Sequence, residues 1–333
     1  MSEPRRPSEL HLRDWLPWLI GLGALWGSSF VLIKVAVVDL HPLWVATGRV
    51  GFGGLALALI MVVRRLRLPR SPRAWLHGGF LGVVNCAIPF SLFAFAGERV
   101  PSLLSGLWNS TTPLIVLPLA IFAFRTETFT VRRLLGLVLG LAGALVLLGV
   151  WDLSGQGYDL VGQLMCLGAA SCYGIGTAWS RRFISPRPEP PIVAAAIQMI
   201  TGLVVMVPVA LLFAGPPGTP GPSSLAAAVA LGALGTGVGF AINLRNIALL
   251  GASAASTVTY LVPVFATTIG VTVMAEHLSW HHVLGGLVVL CGVGVAQGIG
   301  RGVRVNRVRR PLRDDRRPNP NPIDRPGSRS TPR

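Results

Sequence analysis

Apolar residues along this chain come in unbroken blocks rather than at alternate positions or on one helical stripe. Ten such blocks lie at roughly 15-36, 43-63, 76-96, 102-124, 133-150, 160-180, 192-213, 224-244, 253-274 and 281-300. About 20 apolar residues, rising 1.5 Å each as a helix, cross the hydrocarbon core of a bilayer. Each block therefore predicts one transmembrane helix. The connections are short and rich in Pro, Gly or Arg ("VVRRLRLPRSPR", "SRRFISPRPEPP", "AGPPGTPGPSS"), which suits turns among lipid headgroups. None is long enough for a soluble domain. The first block is longer than a signal-peptide core and lacks a small-residue cleavage site, so it is expected to remain as an anchor.

Composition agrees with that pattern: 52% of the 333 residues are hydrophobic and only 13% are charged, where a soluble protein carries about 25%. Charge then fixes an orientation, because loops rich in Lys and Arg stay in the cytoplasm. Alternate connections place Arg5, Arg6 and Arg13, the Arg cluster of 64-75, Arg125, Arg132, Arg133, Arg181, Arg182, Arg187 and the C-terminal tail on one side, against Arg99 on the other. Both termini are expected in the cytoplasm of a multi-pass plasma-membrane protein. The tail, 301-333, holds eleven Arg and three Asp among Pro and polar residues; it is expected to be disordered and drawn to anionic lipid. Without interleaved aromatics or a folded basic module, this charge does not point to nucleic acid.

The chain also repeats itself. Trp26-Gly27 aligns with Tyr173-Gly174, Lys34 with Arg181, Arg49 with Gln198, Gly53 with Gly202, Leu81-Gly82 with Leu231-Gly232, Phe90 with Phe240, Pro113 with Pro263, and Gly136 with Gly285. Five spans used twice put the second copy upside down, an arrangement found in transporters. The expected fold is an all-α integral membrane protein of ten transmembrane helices in two inverted five-helix repeats, residues 15-150 and 160-300, between a cytoplasmic N-terminus, 1-14, and the basic tail.

These residues resemble a known family, the EamA-type transporters of the drug/metabolite transporter superfamily. "LWGSSFVLIKVAV", Pro42 and "ATGRVGFGG" are similar to its Trp-Gly, Lys, Pro and Arg signature, and "STTPLIVLPLAIFAFRTETF" and "VTYLVPVFATTIGVTVMAEHL" to its Pro, apolar span and Gly-Glu pattern. Thr126 and Ala275 replace the usual Gly before the Glu, and the second copy carries Tyr173, Arg181 and Gln198 in place of the Trp, Lys and Arg set. The resemblance implies movement of metabolites or amino acids, often outward, by alternating access and without covalent chemistry or cofactor.

Lys34 is the one lysine of the chain and sits inside a block, where a charge costs about 3 kcal/mol and normally faces protein or water. Its stripe runs back through Phe30, Gly27 and Gly23, which points it inward; a snorkelling contact with headgroups is the other reading. Arg49 lies about 10 Å into the second block and either faces a cavity or bonds a helix-end carbonyl. The thirteen Asp and Glu fall in tails, loops or block edges. A positive cavity with no embedded acid fits a small substrate carrying a carboxylate or phosphate, zwitterionic amino acids included. Candidate substrate-binding residues are Trp26, Ser29, Lys34, Arg49, Asn85, Asn109, Tyr173, Asn243 and Tyr260, drawn from a larger polar set that includes Thr112 and Thr259. Cys86, Cys166, Cys172 and Cys291 lack paired ligand spacing and are expected as thiols within spans, and no metal site is expected. An enzyme acting on a lipid-linked substrate is the alternative from another class, but neither H-E-x-x-H nor G-x-S-x-G is present; a passive channel is a third. Assembly as a homodimer is compatible with the sequence.

Overall fold

The computed structural model describes residues 12-125, 128-148, 159-185, 187, 189-250 and 258-297, all within the unit Met1–Val303. The N-terminal arm, Glu127 and the basic tail lie outside the described residues. Regular structure among them is all helix: α1 (Leu12–Ala36), α2 (Pro42–Val63), α3 (Pro72–Arg99), α4 (Ser102–Ala123), α5 (Val131–Leu148), α6 (Leu160–Ile184), α7 (Pro191–Ala214), α8 (Pro222–Asn246), α9 (Val258–Met274) and α10 (Trp280–Gln297). Seven of these, α1 to α4 and α6 to α8, are long and apolar enough to cross a bilayer, and α9 and α10 are shorter apolar helices.

Local chemistry explains the starts. Pro42, Pro72, Pro191 and Pro222 occupy first helical positions, where the missing N–H has no intrahelical partner to lose. Asp159 caps α6 by accepting from Val161 N and Gly162 N. Outward faces remain apolar: Leu135, Val138, Leu141 and Leu145 of α5, Val204, Leu212 and Phe213 of α7, and Leu287 of α10 are all exposed. Such a surface would aggregate in water and is matched by lipid.

Glycines set the closest crossings. The pair α5 and α10 runs antiparallel: a Cβ on Gly136 would stand 2.5 Å from the Ala296 backbone nitrogen, and one on Gly143 would stand 2.5 Å from Val289 N and 3.0 Å from Gly285 O. Backbone contact of this kind is how membrane helices associate where lipid removes any hydrophobic drive between them. A second crossing occurs twice. Gly82 of α3 lies against Gln198 O and Gly202 N of α7, at 2.9 and 2.8 Å from its would-be Cβ, while Gly232 of α8 lies against Arg49 O and Gly53 N of α2, at 2.9 and 3.1 Å. The residues of the one crossing are those that the sequence repeat aligns with the other.

Both α3 and α8 widen at that crossing into a π-helical turn, Gly82–Ala87 and Leu231–Val238. In α3, Pro89 has no N–H to return to Asn85 O four residues back, and Ile88 N instead reaches Val83 O. In α8, four residues of "GALGTGV" carry little or no side chain to resist the wider turn. Such turns insert one residue into a helix and accompany functional sites.

Contacts also sort the two ends of the bundle. At the Lys34 end, Asp39 accepts from Ser224 Oγ and Gly221 N, Trp44 Nε1 donates to Gly215 O, and Arg99 pairs with Asp159 at 2.6 Å. At the opposite, arginine-rich end, His77 stacks on Phe183 with ring centres 4.9 Å apart, and Trp179 packs on Phe80 and Phe124.

Candidate functional site

Between α1, α2, α3, α4, α6, α8 and α9 lies a cavity of about 280 Å³. Arg49 is its charged residue, and the lining contains no Asp or Glu. The α2 backbone carries Arg49 to the Gly232 crossing, where its guanidinium is held on two sides. Nε donates to Thr236 Oγ1 at 3.2 Å, and the plane lies 4.0 Å over the Phe90 ring. A half-buried cation stacked on an aromatic face keeps part of the stabilisation it loses with its water. No carboxylate pairs with Arg49 among the described residues. The remaining guanidinium edge is therefore free to bind an anion by a charge-assisted bond.

Both widened turns contribute to the lining. Trp26 Nε1 donates to Gly235 O at 3.1 Å, which fixes the indole against α8. Asn85, inside the α3 turn, donates from Nδ2 to Gln198 Oε1 at 3.4 Å, so the residue aligned with Arg49 in the second copy holds an amide at the edge of the same region. Two prolines shape the rest. Pro113 cannot donate to Asn109 O, and Thr112 Oγ1 takes that carbonyl instead at 2.8 Å; α4 breaks there, and Asn109 and Thr112 both line the cavity. In α9, Thr259 occupies the matching place four residues before Pro263 and also lines it.

Of the nine sequence candidates, Trp26, Ser29, Arg49, Asn85, Asn109 and Tyr173 come together in this lining. Lys34, Asn243 and Tyr260 are not part of it. Lys34 lies more than a turn beyond Phe30, where Nζ donates to Val100 O at 3.2 Å and faces Glu276 Oε1 at 4.0 Å. Its ammonium thus meets protein groups at the end of the bundle. Tyr260 packs with Leu114, Val289 and Val293 between α4, α9 and α10, and Asn243 stands about one turn beyond the lining residue Phe240. The candidate list omits Phe30, Phe90, Thr177, Thr236 and Phe240, all of which line the cavity. A signal for Phe90 and Phe240 existed in their alignment across the repeat; Thr236 lies in a glycine-rich run that reads as helix packing and nothing more.

Apolar outer faces around a cavity that holds one guanidinium are those of a multi-pass membrane protein. The chain belongs to the EamA-like transporter family, whose model matches twice, at residues 14–149 and 160–296. Relatives include the uncharacterized transporter YoaV of Bacillus subtilis, 26% identical over 83% of this chain and 94% of its own length. The uncharacterized inner membrane transporter YedA of Escherichia coli is 28% identical over 81% of this chain and 87% of its own length. A probable amino-acid metabolite efflux pump of Escherichia coli is 28% identical over 55% of this chain and 58% of its own. A crystal structure shares the fold with a TM-score of 0.62 at 20% identity, covering 88% of this chain and all of the other.

Proposed function

We propose that this protein is a secondary transporter of the plasma membrane that exports a small metabolite bearing a carboxylate, an amino acid or a related anion, by alternating access. The observation that carries the reading is Arg49, a cavity guanidinium with aromatic and hydroxyl neighbours and no acid beside it. An organic cation would meet repulsion in this cavity; a carboxylate would meet a partner. The amino-acid metabolite efflux pump among the relatives supports the substrate class and the outward direction, and the inner membrane relative supports the location.

Alternating access needs two arrangements of similar energy, which an inverted repeat supplies. We read the chain as ten spans in two five-helix repeats, 15-150 and 160-300, with both termini in the cytoplasm and the tail of 301-333 against anionic lipid. Support comes from α5 and α10, which the sequence aligns with each other and which pack antiparallel, Gly136 near Ala296 and Gly143 near Gly285. Equivalent helices pointing in opposite directions are related by an axis in the membrane plane rather than along its normal.

The test is counterflow in proteoliposomes with the purified protein and a panel of amino acids and organic acids. Saturable exchange is expected for a carboxylate-bearing substrate, and a linear, unsaturable flux would mark a channel instead. Arg49→Gln should cut transport at least about tenfold, the effect of losing a charge-assisted bond of about 1.5 to 3 kcal/mol, with unfolding temperature close to the parent's. Parent-like transport by Arg49→Gln would remove the guanidinium from the substrate site.

A further inference from the structure

We propose that Glu276, held on the first turn of α4 and faced by Lys34, is the latch that keeps the Lys34 end of the cavity shut. Glu276 stands in the short link between α9 and α10. Ala275, in a left-handed conformation at φ 53°, turns the chain back, and Glu276 N returns to Gly270 O at 3.1 Å. The absence of a side chain at Gly270 leaves room for the carboxylate, since a Cβ there would lie 2.5 Å from Glu276 Oε2. That carboxylate is 6% exposed and accepts three bonds from α4: Ser102 N at 2.7 Å, Ser102 Oγ at 3.0 Å and Leu103 N at 3.0 Å.

A cap of this kind normally comes from the residue just before the helix, as Asp159 does for α6. Here that residue is Pro101, which has no side-chain acceptor to offer. The first turn of α4 therefore takes its acceptor from a link 174 residues away. Lys34, at the end of α1, adds a third element through Val100 O and Glu276. Directly below, α1, α4 and α9 meet where Gly106 packs on Ala266 and Phe30, and Phe30 is already part of the cavity lining. Opening this end requires these three helices to separate. When they do, Glu276 cannot keep both its α4 donors and Lys34.

Release is affordable because the link is at the end of the bundle, where water can take over the carboxylate, the ammonium and the freed N–H groups. The contacts thus weigh on the balance between closed and open forms. This inference shares the alternating-access reading above but does not depend on the substrate.

The test uses the full chain in right-side-out and in inside-out vesicles with Thr259→Cys in the cavity and a membrane-impermeant maleimide, measured against the background of the native cysteines. Adding Glu276→Gln should raise the labelling rate of Cys at 259 from the Lys34 side about tenfold or more, with no rise from the other side of the membrane. Lys34→Gln, which leaves the α4 cap in place, should give a smaller rise and serves where Glu276→Gln does not fold. Unchanged labelling in folded variants would overturn the latch, and so would an equal rise from both sides, which marks a loosened bundle. Since labelling needs no substrate, a failure here is separate from a failure of Arg49→Gln to lose transport.

Discussion

At the scale of single residues, two cations met in apolar blocks have different surroundings. Arg49 is stacked, bonded through one nitrogen and left with an open edge in the cavity; Lys34 spends its charge at the bundle's end. A third charge, Asp159, lies outside the spans and makes a pH prediction. The hydrogen bond from Arg99, before all else, holds its pKa below the ordinary 3.8. A carboxyl with a lowered folded-state pKa adds stability that is present above its unfolded value and lost as pH falls through the folded one. Asp159→Asn should therefore unfold at a slightly lower temperature than the parent near neutral pH, and the gap should close as pH drops below 3.8. Thermal unfolding in detergent across that range measures it; a gap that persists in acid would mean the residue acts as an uncharged cap alone.

At the scale of elements, helix existence was legible because block length is a direct consequence of bilayer thickness. Where the helices deviate from regularity was not. The widened turns of α3 and α8 depend on which carbonyls lose a donor and on what packs across from them, and a run such as "GALGTGV" reads equally well as straight helix. For the same reason the candidate list captured Asn85 but not Thr236. Stripe reasoning points Lys34 inward on α1 but does not say whether the inward neighbour is a cavity or a loop from the other half of the chain; here it is Val100 and Glu276. Packing glycines give the element-scale prediction. Gly143→Ala puts a methyl 2.5 Å from a backbone nitrogen of α10 that has nowhere to move, and should cost about 1 to 3 kcal/mol. Gly21→Ala, with nothing within 4 Å of the added carbon, should leave stability unchanged or raise it slightly through helix propensity. Equal unfolding temperatures for the two variants would show that the α5–α10 contact is looser than its geometry.

At the scale of the whole molecule, the proposed arrangement predicts which connections face which side. Leu68→Cys, in the arginine-rich link after α2, should be shielded from an impermeant reagent in intact cells, while Gly218→Cys, between α7 and α8, should react. Reversal of both would turn the molecule over; reaction of both would break the count of spans between them. Legible at this scale were the two halves and their alignment, because glycines and prolines at helix crossings leave marks that tolerate change elsewhere. The division of labour between the halves was not legible, and it follows from the crossings themselves. Arg49 and Gln198 lie at matching places, each lending its carbonyl to a glycine of the neighbouring helix. Two separate, identical chains meeting there could place charges only in pairs, one guanidinium at each crossing. Within one polypeptide the two positions are free to differ, here one arginine and one glutamine, so that the cavity lining carries a single guanidinium, the charge that the proposed function pairs with one carboxylate.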